Sequence, residues 1–201
     1  NENFRKSVVH AFNRMPALAT SDRIDPESLK NNTITPNAFA SASKDYTYYE
    51  GLAAYTDGDN FDEALAAEYK AAAIDELTAA GATFPVKMLM CYNPTSANWA
   101  QECQVVEQQI ETVLGADYVD IIIQAGPETG FLGAIRRTGK YAFMKCNWGA
   151  DYADPETWTD PFSTDSSYSF IFKSTDPETQ ALYAEYTELV AAAKAITDDM
   201  D

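Results

Sequence analysis

The residues of this chain best suited to holding a ligand fall in one stretch. Positions 141–155 read Tyr-Ala-Phe-Met-Lys-Cys-Asn-Trp-Gly-Ala-Asp-Tyr-Ala-Asp-Pro. The stretch opens as a buried-type strand and closes in Trp148, Asp151, Tyr152, Asp154 and Pro155. An apolar strand ordinarily stops in small turn residues; this one stops in a large aromatic with a carboxylate three positions on. Ligands of open α/β sheets sit beyond the carboxyl ends of the strands. An indole face and an unpaired carboxylate placed there hold an apolar and a cationic group together. Each residue also has a structural alternative. Asp151 reads equally as a turn or cap residue, and Trp148 as a core aromatic. Tyr152 either offers its hydroxyl to a ligand or packs under the turn. Asp154 reads as the cap of a helix started by Pro155. Arg136 and Arg137 either complement the end of a short helix or reach a ligand carboxylate.

Other chemistry finds little support. Asp151 and Asp154 as paired carboxylates would suit glycoside hydrolysis, but one of them is consumed as a cap, and no nucleophile–base pair is visible. His10 is the only histidine, so a histidine-based zinc site or a Ser-His-Asp triad would have to rest on it alone. Cys91, Cys103 and Cys146 form neither a disulfide framework nor a Cys-x-x-Cys metal knuckle. Cys91 and Cys146 fall in predicted buried strands and Cys103 on the apolar face of a helix, where thiols act as small hydrophobes. No catalytic residue, metal ligand or cofactor is expected.

Charge narrows the partners. The chain has 31 acidic and 14 basic residues, a formal charge of -17. Such a surface repels nucleic acid and anionic membranes and keeps a protein solvated. A hydrophobic fraction of 46% is ample for a core. No apolar run approaches the roughly 20 residues of a membrane-spanning helix. The first residues, Asn1-Glu-Asn-Phe-Arg-Lys6, lack the apolar region of a signal peptide. With no initial Met, the chain reads as a mature product or an excised piece.

The elements that position these residues alternate. Residues 3–14 read as a helix, with Phe4, Val8, Ala11 and Phe12 on one face. Residues 15–58 read as irregular, punctuated by Pro16, Pro26, Pro36 and Gly58, with Tyr46, Tyr48, Tyr49 and Tyr55 pinning the segment to a core. Residues 60–80 read as a helix capped by Asp59 or Asn60 and stopped by Gly81. Pro85–Tyr92 is a strand. A helix capped by Thr95 or Ser96 follows, striped by Trp99, Cys103, Val106, Ile110 and Val113 and ended by Gly115. Tyr118–Gln124 is a strand, Glu128–Arg137 a short helix closed by Gly139, and Tyr141–Asn147 a third strand. This βαβαβ order, spanning about residues 85–148, implies a parallel sheet. Asp154-Pro155-Glu156 and Asp176-Pro177-Glu178 each signal a helix start. A polar loop, Ser163–Ser169, and an apolar run, Phe170–Phe172, lie between them. The last helix, about 176–199, carries Leu182, Tyr186, Leu189, Ala193 and Ile196 as its apolar stripe.

Four segments resemble the C-terminal lobe of extracytoplasmic solute-binding proteins of the peptide-binding (dipeptide and oligopeptide) branch that feeds ABC importers. Phe4–Arg14 resembles the family's "xRxAhxxAhDR" helix, with Ser7 and Asn13 departing from it. Residues 62–92 resemble the "AxxLLxxAG…hxLxhxYN" segment, through Ala80-Gly81 and Leu89–Asn93. Phe131-Leu132 with Gly139-Lys140-Tyr141 resembles "FLxxxxxGxYD", with Ala142 in place of Asp. Trp148–Pro155 resembles "WxADYxDP", the most specific of the four. Together they cover about residues 4–197.

The resemblance implies an α/β, class II periplasmic-binding-protein-type lobe with a mixed, mainly parallel sheet flanked by helices. The whole chain, 1–201, would be one such lobe. The N-terminal lobe, a signal sequence and a lipid-attachment cysteine would lie upstream. It implies a non-catalytic, ligand-binding role in capturing peptides for import, outside the cytoplasm, in the periplasm or lipid-anchored to the outer face of the membrane. The implied partners are a peptide or other small solute and ABC permease subunits. By position, Asp151 would hold the α-ammonium of a bound peptide, Trp148 would wall the ligand, and Gly149, where some relatives carry a larger residue, would open a pocket beside Tyr152. Relatives on this frame also carry oligosaccharides or metal complexes, or act as sensors, and those alternatives stay open.

Overall fold

The computed structural model describes residues 1–36, 39, 58–169 and 174–196. The expected roles of Tyr46, Tyr48, Tyr49 and Tyr55, of the run Phe170–Phe172 and of the final residues after Ile196 lie outside the described residues. The chain folds as two compact units. The first comprises Asn1–Lys30, Asp59–Ile135 and Lys140–Lys145, and the second Asn31–Gly58, Arg136–Gly139 and Cys146–Asp201.

In the first unit, α1 spans Glu2–Ala11, capped by the Asn1 side chain, which accepts the Phe4 N–H at 2.8 Å. A second helix, α2 (Arg14–Leu18), occupies the start of the segment expected to be irregular. Asn13 caps it by accepting the Met15 N–H at 3.0 Å. Pro16 is tolerated because it falls in the first turn, where an N–H has no intrahelical partner. The next helix, α3, spans Glu63–Ala79 and is capped by Asp62, which accepts from Ala64 and Leu65, both at 2.9 Å. The expected caps, Asp59 and Asn60, do not serve. Asp59 is engaged by the Phe61 N–H and by Lys30. Gly81, at φ 80°, follows the helix as expected. Helix α3 buries only Ala66 and Ala73, small side chains that let it lie close against α1. Asn1 and Asn3 fasten the pair by donating to the Glu76 carboxylate at 2.7 and 2.8 Å.

The strand β1 (Val86–Tyr92) and the strand β2 (Val119–Ala125) pair in parallel, from Val86 opposite Val119 to Tyr92 opposite Ala125. The crossover between them is α4 (Trp99–Leu114). Its buried stripe is Trp99, Cys103, Val106, Ile110 and Leu114; Val113 is only partly buried. Thr95 does not cap it, because the Thr95 hydroxyl and N–H both turn to the Asn93 side chain, at 2.8 and 3.1 Å. The helix instead starts after Asn98, which sits in the left-handed region at φ 62°. Gly115, at φ 89°, ends it. Ile110, Leu114, Tyr118, Val119 and Ile121 are all but inaccessible to solvent and form the centre of the core.

The third strand is reduced to one parallel bridge between Met90 and Phe143. The Ala142 and Phe143 N–H groups both reach Leu89 O, at 2.9 and 3.2 Å. Only Phe143 and Met144 pack on the core. Beyond them, the Lys145 ammonium meets the Glu102 carboxylate at 2.5 Å, and the chain passes into the second unit. Cys146 is therefore exposed rather than in a buried strand, whereas Cys91 and Cys103 are buried as expected. Burial pushes the Cys103 thiol up to about 11 and holds it as a neutral hydrophobe.

The short helix α5 covers only Phe131–Ala134, and a separate 3-10 turn, Arg136–Thr138, follows. The second unit contains α6 (Glu156–Thr159), a 3-10 turn at Asp160–Phe162, and α7 (Pro177–Lys194). Asp176 caps α7, accepting the Thr179 N–H at 2.8 Å. Its inner face is not the predicted one: Leu182 and Leu189 are 61% and 63% exposed, and Ile196 beyond the helix is also exposed. The buried side centres on Val190, with Tyr183, Tyr186 and Thr187 half-buried. Polar pairing turns the helix this way. The Tyr186 hydroxyl donates to Thr159 O at 2.7 Å, and Thr187 meets the Thr164 hydroxyl at 3.0 Å.

Candidate functional site

All four candidate ligand residues, Trp148, Gly149, Asp151 and Tyr152, belong to the second unit. They lie on an irregular stretch between Asn147 and α6. Several anchors shape it. At its start the Tyr168 hydroxyl donates to Asn147 O at 2.7 Å, and Arg136 Nη2 donates to Asn147 Oδ1 at 2.9 Å. In the middle the Asp151 N–H donates to the Thr157 hydroxyl at 2.9 Å, and Thr157 is itself buried. At its end Asp154 Oδ1 accepts the Glu156 N–H at 2.8 Å, and Asp154 O accepts the Thr157 N–H at 3.1 Å. The sequence predicts Asp154 as the cap of a helix starting at Pro155; instead Pro155 is the N-cap residue of α6, and Asp154, one position earlier, still accepts the first helical N–H.

Trp148 is half-buried. Its ring meets Tyr168 edge-on, with centroids 5.4 Å apart and planes at 76°. Its Nε1 is shielded from solvent and has no hydrogen-bond partner among the described residues. The indole therefore has an apolar face to offer and no accessible donor. Gly149 is exposed, and a Cβ added to it would meet nothing within 4 Å. Tyr152 is 48% exposed. Slight desolvation first, then the nearby Glu156 and Asp160 carboxylates, hold its phenol above the ordinary value. It keeps its proton and remains a donor at neutral pH.

The carboxylates of this stretch differ in what they already hold. Lys194 Nζ lies 2.6 Å from both Glu156 and Asp160, so both carboxylates of that pair are engaged by one ammonium. Asp154 is occupied as a cap. The Asp151 side chain is exposed and has no hydrogen bond or ion pair among the described residues. It is the carboxylate of this segment still available to a cation.

Arg136 departs from both roles considered for it. It is buried and grips Tyr168 and Asn147. Trp99, expected on the buried stripe of its helix, is buried in the core against Phe131. Tyr168, Thr157 and Lys194 organise the site, and sequence reasoning passed over them. The available signal for Tyr168 was an aromatic inside the otherwise polar run Ser163–Ser169. Elsewhere, in the first unit, an open groove of about 370 Å³ is lined by Asn13, Pro16, Phe61, Val105 and Gln109 among others; none of the four candidates lines it.

The fold and these motifs define an α/β lobe of the class II, periplasmic-binding-protein type, seen in solved substrate-binding proteins. The substrate-binding domain of an oligopeptide ABC transporter from Bacillus anthracis superposes with a TM-score of 0.67 at 20% identity, over 99% of this chain and 38% of that one. A peptide-binding protein of a peptide ABC transporter gives 0.63 at 21% identity, over all of this chain and 88% of that one. No family model matches. In sequence the chain is homologous to oligopeptide-binding proteins. It is 28% identical over 187 residues to the oligopeptide-binding protein AliB of Streptococcus pneumoniae, across 83% of this chain and 28% of that protein. The chain spans about a third of the length of the curated relatives it matches. The fold class and the relationship expected from the motifs are those found. No helix among the described residues is long and apolar enough to cross a membrane.

Proposed function

We propose that this chain forms the ligand-binding lobe of a substrate-binding protein that captures peptides outside the cytoplasm and passes them to the permease subunits of an ABC importer. It does so without catalysis. A second lobe of the same protein closes over the ligand. Asp151 accepts the peptide's α-ammonium, the face of Trp148 walls the first residues, Gly149 leaves room for a side chain, and the Tyr152 hydroxyl donates to the peptide.

One observation supports this reading above the others. In a segment where Glu156 and Asp160 are paired with Lys194 and Asp154 accepts a backbone N–H, the Asp151 side chain is exposed and has no hydrogen bond or ion pair among the described residues, while its main chain is tethered to Thr157. A hydrogen bond from an ammonium to a carboxylate is about twice as strong as a neutral one, and it strengthens when lobe closure removes water. Oligosaccharides and metal complexes lack the free amino terminus that such a carboxylate selects.

Equilibrium dialysis of the intact protein against a degenerate hexapeptide library, with an oligosaccharide mixture alongside, tests the reading. Retention of peptides and not of sugars is expected. Retention of sugars alone, or of neither class, would contradict it.

A further inference from the structure

Tyr168 is the most enclosed aromatic of the second unit among the described residues, at 3% exposure, and it meets both the Trp148 ring and the backbone before it. Its hydroxyl donates to Asn147 O, one residue before Trp148, and accepts from Arg136 Nη1 at 2.8 Å. Arg136 Nη2 closes the triangle on the Asn147 side chain. The Tyr168 ring is the surface that the Trp148 edge meets at 5.4 Å, and Phe162 stacks on Tyr168 at 5.6 Å, with planes at 25°. The Arg136 guanidinium also lies 5.7 Å from the Tyr168 ring centre. Burial, foremost, and the neighbouring Cys146 hold the phenol above its ordinary value, so the hydroxyl stays a donor.

We infer that Tyr168, braced by Arg136, is a positioning residue for the ligand site: it fixes both the backbone entering Trp148 and the plane of its indole. This rests on the proposed role of Trp148 as a ligand wall. Among the described residues no hydrogen bond orients the Trp148 ring, since its Nε1 finds no acceptor there. The ring it packs on is Tyr168, and the carbonyl just before it, Asn147 O, accepts from the Tyr168 hydroxyl. An indole free to rotate would lose part of its binding contribution to ordering entropy.

The test uses the intact protein labelled with 5-fluorotryptophan. The Trp148 resonance is identified as the one lost in Trp148→Phe. Tyr168→Phe keeps the ring and removes the hydroxyl; Asn147→Ala removes the Arg136 acceptor and leaves the backbone carbonyl, a milder change if the first variant folds poorly. Both should shift or broaden the Trp148 resonance and leave the other tryptophan signals in place. Tyr168→Phe should weaken binding of a free-amino hexapeptide library roughly three- to tenfold. In a Trp148→Ala background it should add nothing. An unmoved Trp148 resonance, or full additivity of the two losses, would overturn the inference. If Trp148→Ala alone leaves library binding unchanged, the proposed ligand role of Trp148 fails, and the resonance still decides whether Tyr168 orients the ring.

Discussion

The Asp151 main chain is tied to Thr157, its N–H 2.9 Å from the buried hydroxyl, while its side chain has no hydrogen bond or ion pair among the described residues. A backbone fixed from one side and a carboxylate left open on the other is the arrangement a cation receptor needs. The ordering cost has been met before the ligand arrives. The same Thr157 belongs to α6, whose first N–H, that of Glu156, donates to Asp154 Oδ1, so one short turn tethers the Asp151 main chain and engages the neighbouring carboxylate.

Close packing at the end of β2 makes Gly126 intolerant. A Cβ there would lie 2.6 Å from Phe131 Cδ2 and 3.1 Å from Ile135 Cγ1. Gly126→Ala should lower stability by about 1–3 kcal/mol, as overpacking does. Urea denaturation measures it, and an unchanged midpoint would show that the Phe131 ring moves aside freely.

At Gly149 the expectation reverses. Nothing lies within 4 Å of an added Cβ, and φ is not in the left-handed region. Gly149→Ala should change stability by less than about 0.5 kcal/mol, as an exposed substitution does. Gly149→Trp should leave the melting temperature unchanged and weaken peptide binding by filling the space beside Trp148 and Asp151. Binding that survives Gly149→Trp would remove Gly149 from the pocket.

Acid should act through Asp59. The Phe61 N–H, and then Lys30, lower its carboxyl below the ordinary value. A carboxyl depressed in the folded state contributes stability above its unfolded value, about pH 4, and that contribution disappears as the pH falls through the folded value. Asp59→Asn should therefore be less stable than the parent at pH 6, with the gap shrinking toward pH 2. A gap independent of pH would mean the loss is one of shape and not of charge.

The sequence made the βαβ unit legible because its signals are local. The four-three spacing from Trp99 through Ile110 and the glycine at 115 mark one helix and its end, and the apolar runs on either side mark two strands. The Asp176-Pro177 cap was legible for the same reason. Caps that depend on competition were not. Asp59 and Thr95 have the right side chains, but Lys30 and Asn93 hold them, and neither partner is visible in a local window. On α7 the expected Tyr186 does face inward, but Leu182 and Leu189 do not, because leucines dominate a hydrophobicity pattern whereas Tyr186 and the unforeseen Thr187 dock the helix through hydrogen bonds. In the site, Trp148, Gly149, Asp151 and Tyr152 stood out as a motif. Tyr168 and Arg136 did not, since their partnership spans 32 positions and shows only in three dimensions.

The most direct test of the account compares two forms of one ligand. Binding of a degenerate hexapeptide library, with free and with N-acetylated amino ends, is measured by calorimetry on the intact protein and on Asp151→Ala. The account predicts that the variant loses about 1.5–3 kcal/mol toward the free library, the range for a hydrogen bond to a charged group, and almost nothing toward the acetylated one. An equal loss for both libraries, or unchanged affinity for the free one, would contradict the assignment of Asp151 as the ammonium acceptor.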